Sequence, residues 1–179
     1  MMACRRRGTW LAAVPALAVG LAVGLGVGLA ADGPQRSRYV DRGFGFSLDL
    51  PAWPVPDHAL GNRSIAQWMA PPVAGFTDNM NVVIQPKDSA ESYIATTKAG
   101  MESMGLTLHE ARQLTVSGRP AARLEYSGVM MGRDLHFMAL AVFEPGHVIL
   151  VTCAVAPERI DALKAEFEAS LSSFTLLEQ

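Results

Sequence analysis

The sequence predicts an α+β domain, in which a mostly antiparallel sheet carries two packed helices. Seven short stretches rich in β-branched, aromatic and other apolar residues are bounded by Gly, Pro, Asn or Ser, as strands are. Two longer stretches repeat apolar residues at helical spacing. Successive strands are joined by hairpin turns, which favours antiparallel pairing over the crossover connections of a parallel sheet.

The first 31 residues are predicted to be an export signal or an N-terminal membrane anchor. Residues 5–7 are all arginine and residues 8–31 carry no charge, an order that keeps the start of the chain in the cytoplasm. Small residues just before Ala31 fit a cleavage site. The apolar run, at about 22 residues, is also long enough to span a bilayer. Both interpretations therefore stay open.

The rest of the chain is predicted to be one acidic domain, residues 39–179, preceded by a polar linker, residues 32–38. Three of the 15 basic residues lie in the first 31 positions, whereas all 17 acidic residues follow them, so the remainder has a formal charge of −5. A charge of that sign repels phosphate backbones, and no cluster of Lys and Arg offsets it. Nucleic-acid binding is therefore not expected.

The domain is predicted to begin with three strands. Apolar residues alternate with small or polar ones over residues 44–50, and Pro51 ends this strand. Residues 65–70 and 80–85 form the next two strands, and residues 71–79 form the loop between them.

Two helices are predicted. The first begins at Asp88, whose spacing to Glu91 fits a capping box, and it ends at Gly105. The second has Pro157 at its first position. Their buried stripes are expected to be Tyr93, Thr97, Met101 and Met104 in the first helix, and Ile160, Leu163, Phe167, Leu171 and Phe174 in the second.

Four strands between the helices form two predicted hairpins. The first joins residues 106–116 to 119–126 through Ser117-Gly118, and the second joins residues 135–143 to 147–155 through Pro145-Gly146. Pro followed by Gly is the sequence of a type II turn, so Glu144 should pair with His147. The predicted order is three strands, a helix, four strands and a helix.

The register of the second hairpin brings three soft metal ligands to one face of the sheet. Met138 should face Cys153, and His136 should face Val155 on the same side. Copper prefers Cys, Met and His, but Met138 and Cys153 are equally suited to a core beneath a helix. We adopt the core interpretation, so no metal ligand and no cofactor is predicted.

Catalytic motifs are absent from the sequence. There is no nucleophile elbow, no His-Glu-x-x-His, no phosphate-binding loop and no paired Cys-x-x-Cys. The four histidines, at positions 58, 109, 136 and 147, are dispersed. No catalytic residue is therefore predicted.

Several short strings within residues 39–176 are similar to those of a known family. They are Tyr39, Phe44-Gly45-Phe46-Ser47-Leu48, Pro51-x-Trp53, Asn79-Met80-Asn81-Val82-Val83, the run from Gly118 to Tyr126, and Ser173-Phe174. They resemble the PsbP-like superfamily, which includes the photosystem II extrinsic protein, bacterial DcrB-like proteins and a Ran-binding import factor. The resemblance implies an α/β/α sandwich around an antiparallel sheet. It implies no functional residue, because members with this fold have different functions.

The loop between the second and third strands is the candidate partner-binding site. Its residues are Pro71, Pro72, Val73 and Phe76. Prolines reduce the entropy lost on docking, and an aromatic ring can fill a partner's pocket. Trp53 and Trp68 lie in or beside flanking loops and add rigid aromatic surface. The alternative is that these rings cover the open end of the core.

The sequence as a whole predicts a non-enzymatic extracytoplasmic domain. Its expected partner is a protein at or near the membrane, and the chain itself contacts the membrane through its N-terminal segment if that segment is not cleaved. A small-ligand or metal-binding periplasmic module is the main alternative, and a hydrolase without a recognisable motif is the third.

Overall fold

The computed structural model describes residues 36–51, 53, 64–73, 75–86 and 90–178. The predicted signal or anchor and the predicted cap at Asp88 lie outside these residues. No helix in the described part of the chain is both long and apolar enough to cross a membrane. The elements are β1 (Arg38–Asp41), β2 (Phe46–Asp49), β3 (Ser64–Met69), β4 (Asn79–Pro86), α1 (Ala90–Ser103), β5 (Thr107–Val116), β6 (Arg119–Met130), β7 (Arg133–Glu144), β8 (His147–Val155), α2 (Ile160–Ser172) and β9 (Thr175–Leu176).

Two antiparallel sheets organise the domain. The main sheet has six strands in the order β3-β4-β8-β7-β6-β5, and a small sheet has the order β1-β2-β9. From the sequence, β2 was expected in the same sheet as the later strands, and β1 and β9 were not predicted. The small sheet forms because β2 pairs with β1, which precedes it, and with β9, which directly follows α2.

Helix α2 covers one face of the main sheet. Phe46 and Leu48 of the small sheet join it there, and Phe167 is fully buried (0% exposed) at the centre of this core. The predicted burial of Phe167 is confirmed, and Leu163, Leu171 and Phe174 are also buried. Two residues of the predicted stripe differ, since Ile160 is half-buried and Phe174 lies just beyond the end of α2. Pro157 was predicted to be the first residue of this helix. It instead begins a short 3-10 turn, Pro157–Arg159, that leads into α2.

Helix α1 covers part of the opposite face. Tyr93 and Met101 pack on small and apolar residues of β6, β7 and β8. The helix ends where predicted, because Gly105 has a φ of +70° and the amide of Leu106 donates to the carbonyl of Met101 at 2.9 Å. Met104, expected in the buried stripe, is instead exposed, since the chain leaves the helix there. The two helices thus enclose the sheet as an α/β/α sandwich.

The hairpins confirm the predicted register. Val116 pairs with Arg119 and Glu144 pairs with His147, so Met138 faces Cys153 and His136 faces Val155. The structure adds a hairpin that was not predicted, because β6 continues to Met130 and β7 begins at Arg133. Its two turn residues, Met131 and Gly132, have φ values of +53° and +76°, as a tight hairpin turn requires.

Candidate functional site

The predicted loop is the tip of the β3–β4 hairpin. The amide of Val73 donates to the carbonyl of Phe76 at 2.9 Å, and the amide of Phe76 donates back to Val73 at 3.0 Å. Gly75, with a φ of +76°, allows this tight turn. Pro71, Pro72 and Val73 are exposed. The loop is therefore a stiff projection that presents apolar side chains to solvent.

Phe76 differs from the other loop residues. It is half-buried and packs on the cluster formed by Leu135, Phe137 and Ala154 of the main sheet. Its ring therefore anchors the loop and is only partly accessible to a partner. The two tryptophans do not add the aromatic binding surface that was predicted. Trp68 is buried against Tyr39, and Trp53 packs edge-on against Phe167.

A second apolar tip lies beside the first. It is the turn of the β6–β7 hairpin, where Val129 is 61% exposed and Met131 is 94% exposed. The two hairpins are neighbours, since a Cβ built on Gly75 would lie 3.5 Å from the guanidinium of Arg133. We call residues 71–73 and 129–131 the paired tips.

An open cavity of about 430 Å³ lies on the sheet face next to the paired tips. Its lining residues are Phe76, Asn79, Asn81, Tyr126, Met130, Met131, Arg133, Leu135, Phe137, Thr152 and Ala154. This lining includes one cation and no carboxylate, although the domain as a whole is acidic. The cavity therefore suits an apolar group, with room for a hydrogen-bond acceptor or an anionic group near Arg133.

The floor of this cavity is aromatic and neutral. The rings of Tyr126 and Phe137 stack with their centroids 4.8 Å apart and their planes 12° from parallel. Burial raises the pKa of Tyr126 to about 12, so its hydroxyl stays protonated at physiological pH. The floor thus adds no charge to the site.

A second cavity of about 270 Å³ adjoins the first beneath the edge of α1. The two share Tyr126 and Met130, and Met101 and Met104 line the second one. Methionine side chains are unbranched and adapt their shape to different apolar partners. The methionines therefore make this part of the sheet face an adaptable apolar surface.

Asp78 fixes the base of the β3–β4 loop. It is fully buried, and its Oδ1 accepts a hydrogen bond of 3.2 Å from the amide of Ala156. Its Oδ2 lies 2.6 Å from Nη1 of Arg159, in an ion pair. These contacts attach the loop to the 3-10 turn ahead of α2, so the tip is held in place from below.

A polar cluster that was not predicted from the sequence lies on the α2 side of the sheet. Nε2 of His109 lies 2.7 Å from Oγ of Ser127, and Nε2 of His136 lies 2.8 Å from Oε1 of Glu125. The two imidazole rings stack with centroids 5.5 Å apart. Lys164 of α2 also donates to both oxygens of Glu125. A longer β6–β7 hairpin, signalled by Gly132, is what brings these residues together.

This cluster consists of two separate pairs. The serine bonds one histidine, whereas the carboxylate bonds the other, and stacked rings pass no hydrogen bond between them. Activation of a serine needs its own histidine to be oriented by a third group. The arrangement among these described residues does not provide that relay.

Glu125 is the charged centre of the cluster. Partial burial opposes its ionisation, but the hydrogen bonds from Lys164 and His136 outweigh burial and hold its pKa below the usual range. The same contact with Glu125 raises the pKa of Lys164. The carboxylate therefore ties α2 to strands β6 and β7 while it is ionised.

Glu125→Gln should lower the free energy of unfolding by about 1–2 kcal/mol at neutral pH, because charged hydrogen bonds are lost. A carboxyl whose folded pKa is depressed stabilises the fold above its unfolded pKa of about 4.3 and loses that contribution as pH falls through the folded pKa. The melting temperature of the variant should thus depend less on pH in this acidic range. Glu102→Gln, at an exposed position of α1, is the control. Equal acid dependence in wild type and Glu125→Gln would contradict the assignment.

The soft residues considered for copper belong to the core. Met138 and Cys153 are buried beneath α2, and burial raises the pKa of the Cys153 thiol, which keeps it neutral. His136 is bonded to Glu125 instead. Within the described ranges, no group of three His, Cys, Asp or Glu residues is arranged to hold a metal ion.

Comparison with known proteins relates this architecture to solved structures. No protein-family model matches the sequence, and no curated protein sequence matches it. The cyanobacterial PsbP protein of Synechocystis, CyanoP, is 18% identical, with a TM-score of 0.58 over 88% of this chain and 98% of that chain. A protein of unknown function from Pseudomonas aeruginosa is 17% identical, with a TM-score of 0.57 over 80% and 97% of the two chains.

A third solved structure is LpqN of Mycobacterium tuberculosis, which is described as involved in cell envelope biogenesis. It is 16% identical, with a TM-score of 0.51 over 80% of this chain and 91% of that chain. At these identities the similarity concerns the fold alone. The chain therefore has a PsbP-like fold, as the resemblance of its sequence implied.

Proposed function

We propose that this chain is a non-catalytic extracytoplasmic domain that binds an apolar segment of a protein partner at or near the membrane. The observation that carries the proposal is the pair of apolar tips beside an open cavity with no carboxylate in its described lining. A partner would place an apolar side chain in the cavity and cover both tips.

The distribution of exposed apolar side chains supports this surface. Seven large hydrophobic residues are exposed in the described part of the chain, and Val73, Val129 and Met131 all lie on the paired tips. A fourth, Met104, lines the adjoining cavity. Scattered exposed hydrophobic residues are ordinary, whereas a group of them beside a cavity indicates an interaction site.

The tips also have the rigidity that favours binding. Pro71, Pro72 and the hydrogen-bonded turn restrict the loop, and the buried Asp78 holds its base. A surface that is ordered before it binds loses little conformational entropy when it docks. The methionines at the cavity add the flexibility needed to fit a partner's side chains.

The location rests on the N-terminal segment. Arginines followed by a long uncharged apolar run direct the remainder of a chain across the membrane. The similarity in fold to LpqN, a protein described as involved in cell envelope biogenesis, is consistent with this placement. The non-catalytic role is supported by the histidine cluster, whose serine and carboxylate bond different histidines.

A small apolar ligand is the second candidate, favoured by the 430 Å³ cavity and the position of Arg133. The two candidates differ in which residues matter. A small ligand needs the floor of the cavity, whereas a protein partner also needs the tips. An amphiphile that copurifies with the domain and is identified by mass spectrometry would favour the ligand.

The variant Val73→Ser with Met131→Ser should reduce capture of the partner from a membrane extract by at least about tenfold, because both exposed tips lose apolar area. Its melting temperature should stay close to that of the wild type, since neither side chain is buried. Phe76 is left intact because it packs on the sheet. Capture is measured by quantitative mass spectrometry of proteins retained on the immobilised chain.

The matched control is Val40→Ser with Ile65→Ser, which removes two exposed apolar residues that do not line the cavity. This control should capture the same proteins as the wild type. Equal capture by the tip variant and the control would show that the interface lies elsewhere.

A further inference from the structure

Strand β5 forms an open edge of the main sheet. It is ten residues long, and among the described strands it pairs only with β6. Most of its residues are exposed, including the run from His109 to Gln113. An edge strand of this length offers a row of backbone donors and acceptors to another strand.

The charges on this edge lack opposite charges across the sheet. Within the chain, Glu110 pairs with Glu125 and Arg112 pairs with Arg123, so like charges face each other on both rungs. Like charges directly opposite one another are unfavourable. Glu125 and Arg123 have ion-pair partners on other elements. Glu110 and Arg112 form an ion pair with each other on the same strand, at 3.3 Å, and both are largely exposed.

We propose that β5 pairs antiparallel with β5 of a second copy of this chain, with the two-fold axis at Ala111. In that register Glu110 faces Arg112 of the partner, and Arg112 faces the partner's Glu110. The pairing ends at these two positions, because His109 lies on the α2 side with Ser127 and His136, whereas Gln113 pairs with Ala122, which faces α1. The second copy thus places an opposite charge directly across from Glu110 and Arg112, where β6 places a like charge.

This register is the one that the charges select. Directly opposite residues must lie on the same side of a continuous sheet, so the axis passes through a residue. An axis at Glu110 would oppose two glutamates, and an axis at Arg112 would oppose two arginines. Only an axis at Ala111, between them, places Glu110 of each copy opposite Arg112 of the other, so that both pairs attract.

A bulge between Leu108 and Glu110 limits the length of the ladder. Charged residues and bulges commonly protect an edge strand from uncontrolled pairing. Here they leave one short pairing of about three residues from each chain, residues 110–112. The dimer is therefore reversible and specific, and the axis stops the sheet from growing further.

A disulfide placed on the axis tests the proposal in the full chain. Ala111→Cys, combined with Cys4→Ser, should form a disulfide-linked dimer in membranes under mild oxidation, because opposite Cα atoms are about 4.5–5.5 Å apart. Gln113→Cys is the matched control. The two copies of residue 113 would lie about 13 Å apart, too far for a disulfide. Cys153 is buried and takes no part.

Charge reversal provides the second arm. Arg112→Glu or Glu110→Arg, in the Ala111→Cys background, should each lower cross-linking at least about tenfold, which corresponds to about 1.4 kcal/mol. Mixing the two reversed chains, or exchanging both charges in one chain, should restore it. The melting temperatures of the variants establish that each one folds. Equal cross-linking through positions 111 and 113, no cross-linking at all, or indifference to charge reversal would overturn the proposal.

Discussion

Phe167→Ala is expected to lower the free energy of unfolding by about 3–5 kcal/mol, the range for removing a buried aromatic ring from a core. Phe167 is fully buried, and its ring packs edge-on against Trp53 with centroids 5.5 Å apart. It also lies at the contact between α2 and the main sheet. The cavity left by the ring would be enclosed by other side chains of the core, so little of the loss can be recovered by relaxation.

Chemical denaturation monitored by circular dichroism measures this loss. Phe44→Ala is the control, because Phe44 is 39% exposed and its ring lies beside that of His147, with ring centroids 5.9 Å apart. The control should cost less than about 1 kcal/mol. A loss of similar size in both variants would mean that Phe167 is not important for the packing of α2 on the main sheet.

Asp78→Ala is expected to lower the free energy of unfolding by about 2–3 kcal/mol, because removal of this buried carboxyl group breaks two contacts at once. The amide of Ala156 loses its acceptor, and Arg159 is left without its ion-pair partner. Asp78→Asn keeps an acceptor for the amide but not the charge, so its loss should be smaller. The same loop carries the first apolar tip, so Asp78→Ala should also weaken partner capture.

Thermal unfolding of the two Asp78 variants, compared with Asp134→Ala at an exposed position, separates the contributions. The order of melting temperatures should be Asp134→Ala highest, then Asp78→Asn, then Asp78→Ala. Equal melting temperatures of Asp78→Ala and Asp134→Ala would contradict the structural role given to Asp78.

Local sequence patterns accounted for most of the main sheet. The alternating residues before Pro145-Gly146, and those after it, predicted that Glu144 pairs with His147, and the whole register of the β7–β8 hairpin followed from that turn. Gly105 likewise identified the end of α1. These features depend on neighbouring residues and on backbone conformation, so one chain segment contains the information needed to predict them.

The candidate loop was predicted in part. Its prolines and Val73 are exposed as expected for a binding surface, but Phe76, Trp53 and Trp68 pack inward. Sequence alone could not separate exposed rings from buried ones, since both are apolar residues next to loops. The second tip was not predicted, because the sequence indicated that β6 ends at Tyr126, before the turn at Gly132.

The sequence by itself determined most elements of this protein, the registers of the β5–β6 and β7–β8 hairpins and the stripe through which α2 packs, because each of these depends on the period of apolar residues and on turn chemistry. Only the tertiary structure decided which surfaces remain open. Helix α1 ends at Gly105 before it can cover the whole sheet face, and the β3–β4 and β6–β7 tips meet beside the uncovered part. Those are contacts between segments far apart in the chain, and their geometry is set by packing that no local pattern encodes.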